Sequence, residues 1–165
     1  MARLIWSLLC DRPIIDAYRN SISVIDVVEV LTIQGPPLPK DGVPVVVPIE
    51  ITLVSLWMRS ELEKPERIAA RPVIVTPDGD ERFGKPIDGD LESAPRTRLI
   101  QRFTSFPLAG SGEYTIRIES RSEGEEWQRV ADFPIEVRFR EAPAQAAPEN
   151  KPRVTAGKIL KRRGK

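Results

Sequence analysis

The chain contains no histidine and a single cysteine, Cys10. The missing imidazole removes the commonest general base, the usual partner of a serine or cysteine nucleophile, and the commonest transition-metal ligand. One thiol cannot form an intrachain disulfide, which fits a reducing compartment, and zinc sites built from Cys and His are ruled out. Aromatic residues are scarce, at 6% of the chain, and the tryptophans are Trp6, Trp57 and Trp127. That supply is thin for a sugar-binding cleft flanked by two catalytic carboxylates. No Gly-rich phosphate loop occurs, and no window approaches the ~20 apolar residues of a membrane span. The run Leu4-Ile5-Trp6-Ser7-Leu8-Leu9-Cys10 is short for a signal-peptide core, and Leu9 stands where a small residue should precede a cleavage site, so it reads as a buried first strand. These absences lead to the expectation of a non-enzymatic, cytoplasmic protein that carries no cofactor and has no membrane partner.

What is present suits one globular domain. The chain has 165 residues, 41% apolar and 30% charged, enough to bury a core without staples. Its 16 prolines are spread along the whole length. Proline is poorly tolerated inside helices, so this spread favours strands joined by turns. Charge divides unevenly. Residues 151–165 hold seven cations and no acid, whereas all 24 acids and 18 of the cations fall in residues 1–150, leaving −6 there. An Ala/Pro segment, residues 142–150, separates the two with nothing to bury. The expected organisation is a domain over 1–141, a linker over 142–150 and a disordered basic tail over 151–165.

Strand signals recur at short spacing through the body. Apolar and polar residues alternate over Val45–Ser55, over Leu99–Pro107 and over Phe133–Phe139, and Pro72–Thr76 is a compact β-branched run. Pro44 and Pro48 should sit at an edge or a bulge, since neither can donate to a sheet ladder. The cleanest half-buried strand sets Tyr114, Ile116 and Ile118 against Thr115, Arg117 and Glu119. Ser60–Ala70 is the one helical candidate, and Pro65 interrupts it. Seven or eight strands follow, the count of an all-β, immunoglobulin-like β-sandwich. The segment Phe106–Ile116, with a glycine turn before Tyr114, resembles the corner that opens the penultimate strand of that fold.

A wider likeness runs through Leu8-Leu9-Cys10-Asp11, Ser21–Val28, the turn Thr76-Pro77-Asp78-Gly79 and the strand Gly112–Ile116. In this order the chain resembles a bacterial family of small β-sandwich proteins of unknown function whose first strand carries a Cys-Asp pair. The resemblance spans residues 3–139 and implies no catalytic residues.

Three constellations carry chemistry. Cys10 lies beside Asp11, an anion that opposes thiolate formation, so a buried structural cysteine is the expectation. The triplets Asp78-Gly79-Asp80 and Asp88-Gly89-Asp90 are weak calcium candidates, because Ca²⁺ takes six to eight oxygen ligands; Asp-Gly is equally the chemistry of tight turns. The tail cations Lys151, Arg153, Lys158, Lys161, Arg162, Arg163 and Lys165 could neutralise phosphates on nucleic acid and gain affinity by counterion release. No aromatic interleaves them for base stacking. Ile159 and Leu160 could instead make the tail a short docking peptide. The leading expectation is an interaction module whose partner is another protein, with nucleic-acid attachment through the tail as the alternative.

Overall fold

The computed structural model describes residues 1–35, 38 and 45–141. Pro44, the linker and the entire basic tail, from Lys151 and Arg153 through Lys158, Lys161, Arg162 and Arg163 to Lys165, lie outside the described residues. Ten strands follow in chain order: β1 (Arg3–Asp16), β2 (Ser21–Val27), β3 (Val30–Gly35), β4 (Val45–Met58), β5 (Glu66–Val75), β6 (Glu81–Phe83), β7 (Ile87–Leu91), β8 (Arg96–Leu108), β9 (Gly112–Ser122) and β10 (Gln128–Glu141). Among the described residues there is no helix, and none therefore long and apolar enough to cross a membrane.

The strands form two sheets. One has the order β2-β1-β4-β8, and the other β3-β10-β9-β5-β6, with β7 also paired to β5. β4 pairs with β8, β5 with β9 and β9 with β10, all antiparallel, while β3 runs parallel to β10. This is an immunoglobulin-like sandwich: β1, β4 and β8 take the places of its strands A, B and E, and β5, β9 and β10 those of C, F and G. The fourth strand of the A-B-E-D sheet would lie beside β8. Among the described residues that place is empty.

Alternation decides what the sheets enclose. Ile51, Leu53 and Trp57 of β4, Leu99 of β8, Tyr114, Ile116 and Ile118 of β9, and Ile135 and Val137 of β10 share the core. Trp57 is fully buried, with its indole N–H donating to Ser55 Oγ at 2.8 Å. The expected corner is present. The Tyr114 hydroxyl accepts from Ala109 N (2.8 Å) and donates to Gly110 O (3.0 Å), tying the start of β9 to the turn before it. Pro48 stands where the β4–β8 register slips, between Pro48 and Ile51, as its missing N–H requires.

The structure corrects four readings. Ser60–Ala70 is a turn followed by the first half of β5, because Ile68, Ala70 and Ile74 alternate into the core and outweigh the local run of charged helix formers. The strand count is ten. Asp26, at φ 51°, kinks β2 near its end and residues 28–29 separate it from β3, and the short β6 and β7 occupy a stretch whose prolines and glycines read as loop. Trp6, in the run that reads as a buried first strand, is only half-buried, on the outward side of β1, where its partner is Leu56. The second Asp-Gly-Asp triplet is no turn. Gly89 sits inside β7, where an added Cβ would come within 2.9 Å of Ile68 Cγ1 and 3.3 Å of Leu99 Cδ2. A glycine is placed there by close packing, whereas Gly79, at φ +89° with open space around it, does serve a turn.

The β1–β2 hairpin does not continue straight. Arg98, on β8, donates to the carbonyl of Asn20 in the hairpin turn at 2.8 Å. Arg98 is in register with Leu56, whose β1 neighbour is Trp6. Asp16 pairs with Ser21, so a straight hairpin would carry Asn20 about 36 Å from Trp6, at ~3.3 Å per residue. The hairpin must double back over the outer side of the four-stranded sheet, and Cys10 and Val54 on that side are accordingly fully buried.

Candidate functional site

The free edge of β8 borders a surface cavity of about 750 Å³. One wall is β8 from Ile100 to Pro107, and the other is the segment Arg82–Ile87, which ends β6 and begins β7. β5 creates the opposite wall by pairing with both short strands, β6 at Val73–Val75 and β7 at Glu66–Ala70. The chain between them, Gly84-Lys85-Pro86, is thereby held facing β8 across the gap between the two sheets. Gly84 fits there only without a side chain, since a Cβ would meet Pro72 Cγ at 2.6 Å. Gln101 Nε2 donates to Lys85 O (2.9 Å) and pins the two walls together.

The groove carries charge of one sign. Arg82, Lys85 and Arg102 line it, and no acid does. All three are exposed, and none has an ion-pair partner among the described residues. By contrast, Arg71 and Arg117 on the neighbouring sheet face are spent internally. Arg71 bonds Glu119 (2.7 Å), Arg117 bonds Glu81 (2.6 Å), and Arg71 is also stacked between the rings of Phe83 (4.6 Å) and Trp127 (4.2 Å). That stack fixes Phe83 at the lip of the groove, still more than half exposed, while Phe103 forms part of the floor. The site combines an unpaired strand edge, an apolar floor and three available cations.

Among the described residues that line it there is no cysteine and no carboxylate. Cys10, the one thiol, is fully buried on the far side of the four-stranded sheet, and burial, then the Asp11 charge, pushes its pKa up. Its burial is what the sequence leads one to expect, and burial together with a raised pKa disfavours the thiolate.

The calcium candidates are not brought together. Asp78 and Asp80 flank the turn beyond Val75, while Asp88 and Asp90 pair with Ala69 and Arg67 near the other end of β5. Asp90 is already occupied: the Ser93 hydroxyl (2.7 Å) and the N–H groups of Glu92 and Ser93 hold its carboxyl below the usual range. Asp88 and Asp90 share their surface hollow with Glu123 and with Arg67 and Arg121, whose charges offset most of the acids' pull on a metal ion. Among the described residues no group of three or more potential ligands is close enough to hold one.

No family model matches the chain, and no curated protein matches it. Among solved structures, the chain is similar to the Pseudomonas fluorescens alkylpurine DNA glycosylase AlkC bound to DNA containing an abasic site analog, with a TM-score of 0.46 and 10% identity over 83% of this chain. The chain spans 30% of that glycosylase's length. It is also similar to an immunoglobulin-like protein from Pseudomonas aeruginosa, with a TM-score of 0.34 and 13% identity, covering 84% of this chain and 97% of that one.

Residues Arg82, Phe83, Lys85, Arg102 and Phe103 escaped sequence reasoning because two separate stretches supply them. One signal was legible: from Arg96 to Leu108 the chain has three arginines and no acid, unusual within a body that is net negative.

Proposed function

We propose that this protein is a non-enzymatic interaction module that takes a partner protein on the open edge of β8. The observation that carries this reading is the vacant place beside β8 at the mouth of a 750 Å³ cavity. Unpaired main-chain groups on an edge are a ready template for another strand, and natural sandwiches commonly cover or blunt them. Here Arg82, Lys85 and Arg102 ring the opening without ion-pair partners among the described residues. The test is partner capture with the full chain and with a Lys85→Glu, Arg102→Glu double variant, both exposed positions whose replacement spares the core. A protein retained by the natural chain and lost by the variant supports the module. Equal retention by both moves the interface elsewhere.

A second reading rests on the tail composition, seven cations without an acid in residues 151–165. On this reading the tail attaches the domain to nucleic acid through phosphates, with affinity that falls steeply as salt rises. Reversing Lys161, Arg162 and Arg163 to glutamate should abolish binding to generic RNA and DNA at low salt. Unchanged binding would remove the tail from consideration.

A further inference from the structure

We infer that the groove beside β8 accepts an extended acidic peptide segment, which adds to the sheet as a further strand and sets its carboxylates against Arg82, Lys85 and Arg102. The inference rests on the proposed interaction module and specifies its partner's chemistry.

Three observations select this occupant. The first is the edge itself. β8 is 13 residues long and, among the described residues, bonded on one side only, so its other side offers main-chain donors and acceptors at strand spacing. A peptide backbone satisfies such groups, and a sugar-phosphate backbone does not. The second is charge. The lining holds three cations and no acid, and β8 adds the exposed Arg96 at its start, while Arg98 is spent on Asn20. Another copy of this edge would bring the same arginines and be repelled, which rules out self-pairing as the occupant. A neutral strand would leave three cations partly desolvated without compensation, whereas alternate acidic side chains would pair with them. The third is the apolar floor. Phe103 lies beneath the opening and Phe83 stands at its lip, positioned to receive the apolar residues that alternate with the acids.

The experiment uses the full-length protein and three fluorescent peptides of about eight residues, the length of an ordinary strand: alternating Glu-Val, alternating Gln-Val and alternating Lys-Val. Binding is followed by anisotropy at low and high salt, and amide hydrogen exchange is followed along β8. The expected result is saturable binding of the Glu-Val peptide, protection of amides between Ile100 and Ser105, and about tenfold weaker binding after Lys85→Glu with Arg102→Glu, since groove charges steer and select partners. Circular dichroism and the melting temperature of that double variant should match those of the natural chain. If Gln-Val binds as tightly as Glu-Val with the same β8 protection, the acidic specificity is wrong while the edge remains a docking site. If no peptide protects β8, both the inference and the module reading fall. If a single-stranded oligonucleotide displaces the Glu-Val peptide and protects the same amides, the groove is an anion site for nucleic acid and the peptide assignment is overturned.

Discussion

Arg98 and Asn20, 78 residues apart in the chain, are joined by a 2.8 Å hydrogen bond from the guanidinium to the Asn20 carbonyl. That bond closes the β1–β2 hairpin over the outer side of the four-stranded sheet and gives Cys10 its cover. Arg98 is held there at some cost, because its Nη1 is buried without a partner.

Replacing Arg98 with alanine should therefore loosen the hairpin and expose the thiol. A hydrogen bond from a charged group contributes ~1.5–3 kcal/mol, so labelling of Cys10 by a thiol reagent should accelerate about tenfold or more in the native state. Cys10 is the only thiol in the chain, so the reagent reports on this cover alone. An unchanged labelling rate would mean that the hairpin is held by its apolar contacts.

Tyr114 anchors the opposite end of the sandwich through its hydroxyl. Tyr114→Phe keeps the ring, which packs against Phe106 with centroids 5.3 Å apart, but leaves Ala109 N–H and Gly110 O without their partner. The expected loss is ~1–3 kcal/mol in urea denaturation. Tyr114→Ala should cost more, because it adds a cavity to the lost bonds.

Alkaline pH should weaken the fold through two groups. Burial pushes the Tyr114 phenol up despite the opposing pull of its bonds to Ala109 and Gly110, and burial followed by Asp11 pushes the Cys10 thiol up. In both cases the unfolded chain releases its proton first. As pH rises past about 8.5 for the thiol and about 10 for the phenol, the unfolded state binds fewer protons than the folded one, so stability falls with pH. Below those values the contribution is fully present. Denaturation midpoints measured from neutral to alkaline pH should decline in this window, and the combination of Cys10→Ala with Tyr114→Phe should flatten the decline.

Gly89 and Gly79 look alike in sequence and should respond differently to substitution. Gly89→Ala forces a methyl toward Ile68 and Leu99 and is expected to cost ~1–3 kcal/mol by overpacking. Gly79→Ala meets open space, and its penalty comes only from the positive φ. Since the two Asp-Gly-Asp triplets lie at different ends of β5, calcium should leave the melting temperature unchanged; a rise on adding it would show that Asp78 and Asp80 recruit ligands from elsewhere.

Much of the architecture was written locally. The alternation of Tyr114, Ile116 and Ile118 with Thr115, Arg117 and Glu119 determined which face of β9 enters the core, because a strand's period of two admits one burial pattern. The glycine turn before Tyr114 announced the corner, and Pro48 announced its bulge, since both are consequences of backbone chemistry at a single residue. The absence of histidine removed whole classes of catalysis by composition alone. Other features depended on residues far apart in sequence. Ser60–Ala70 carries helix-forming side chains and became strand because Ile68 and Ala70 found partners on β9, at Ser122 and Ser120. The groove exists because β5 holds Lys85 opposite β8, and the hairpin's return path exists because Arg98 reaches Asn20. Local pattern sets which side of a strand is apolar; which strand lies beside it, and which edge is left open, is decided only when distant segments compete for the same hydrogen bonds and the same core.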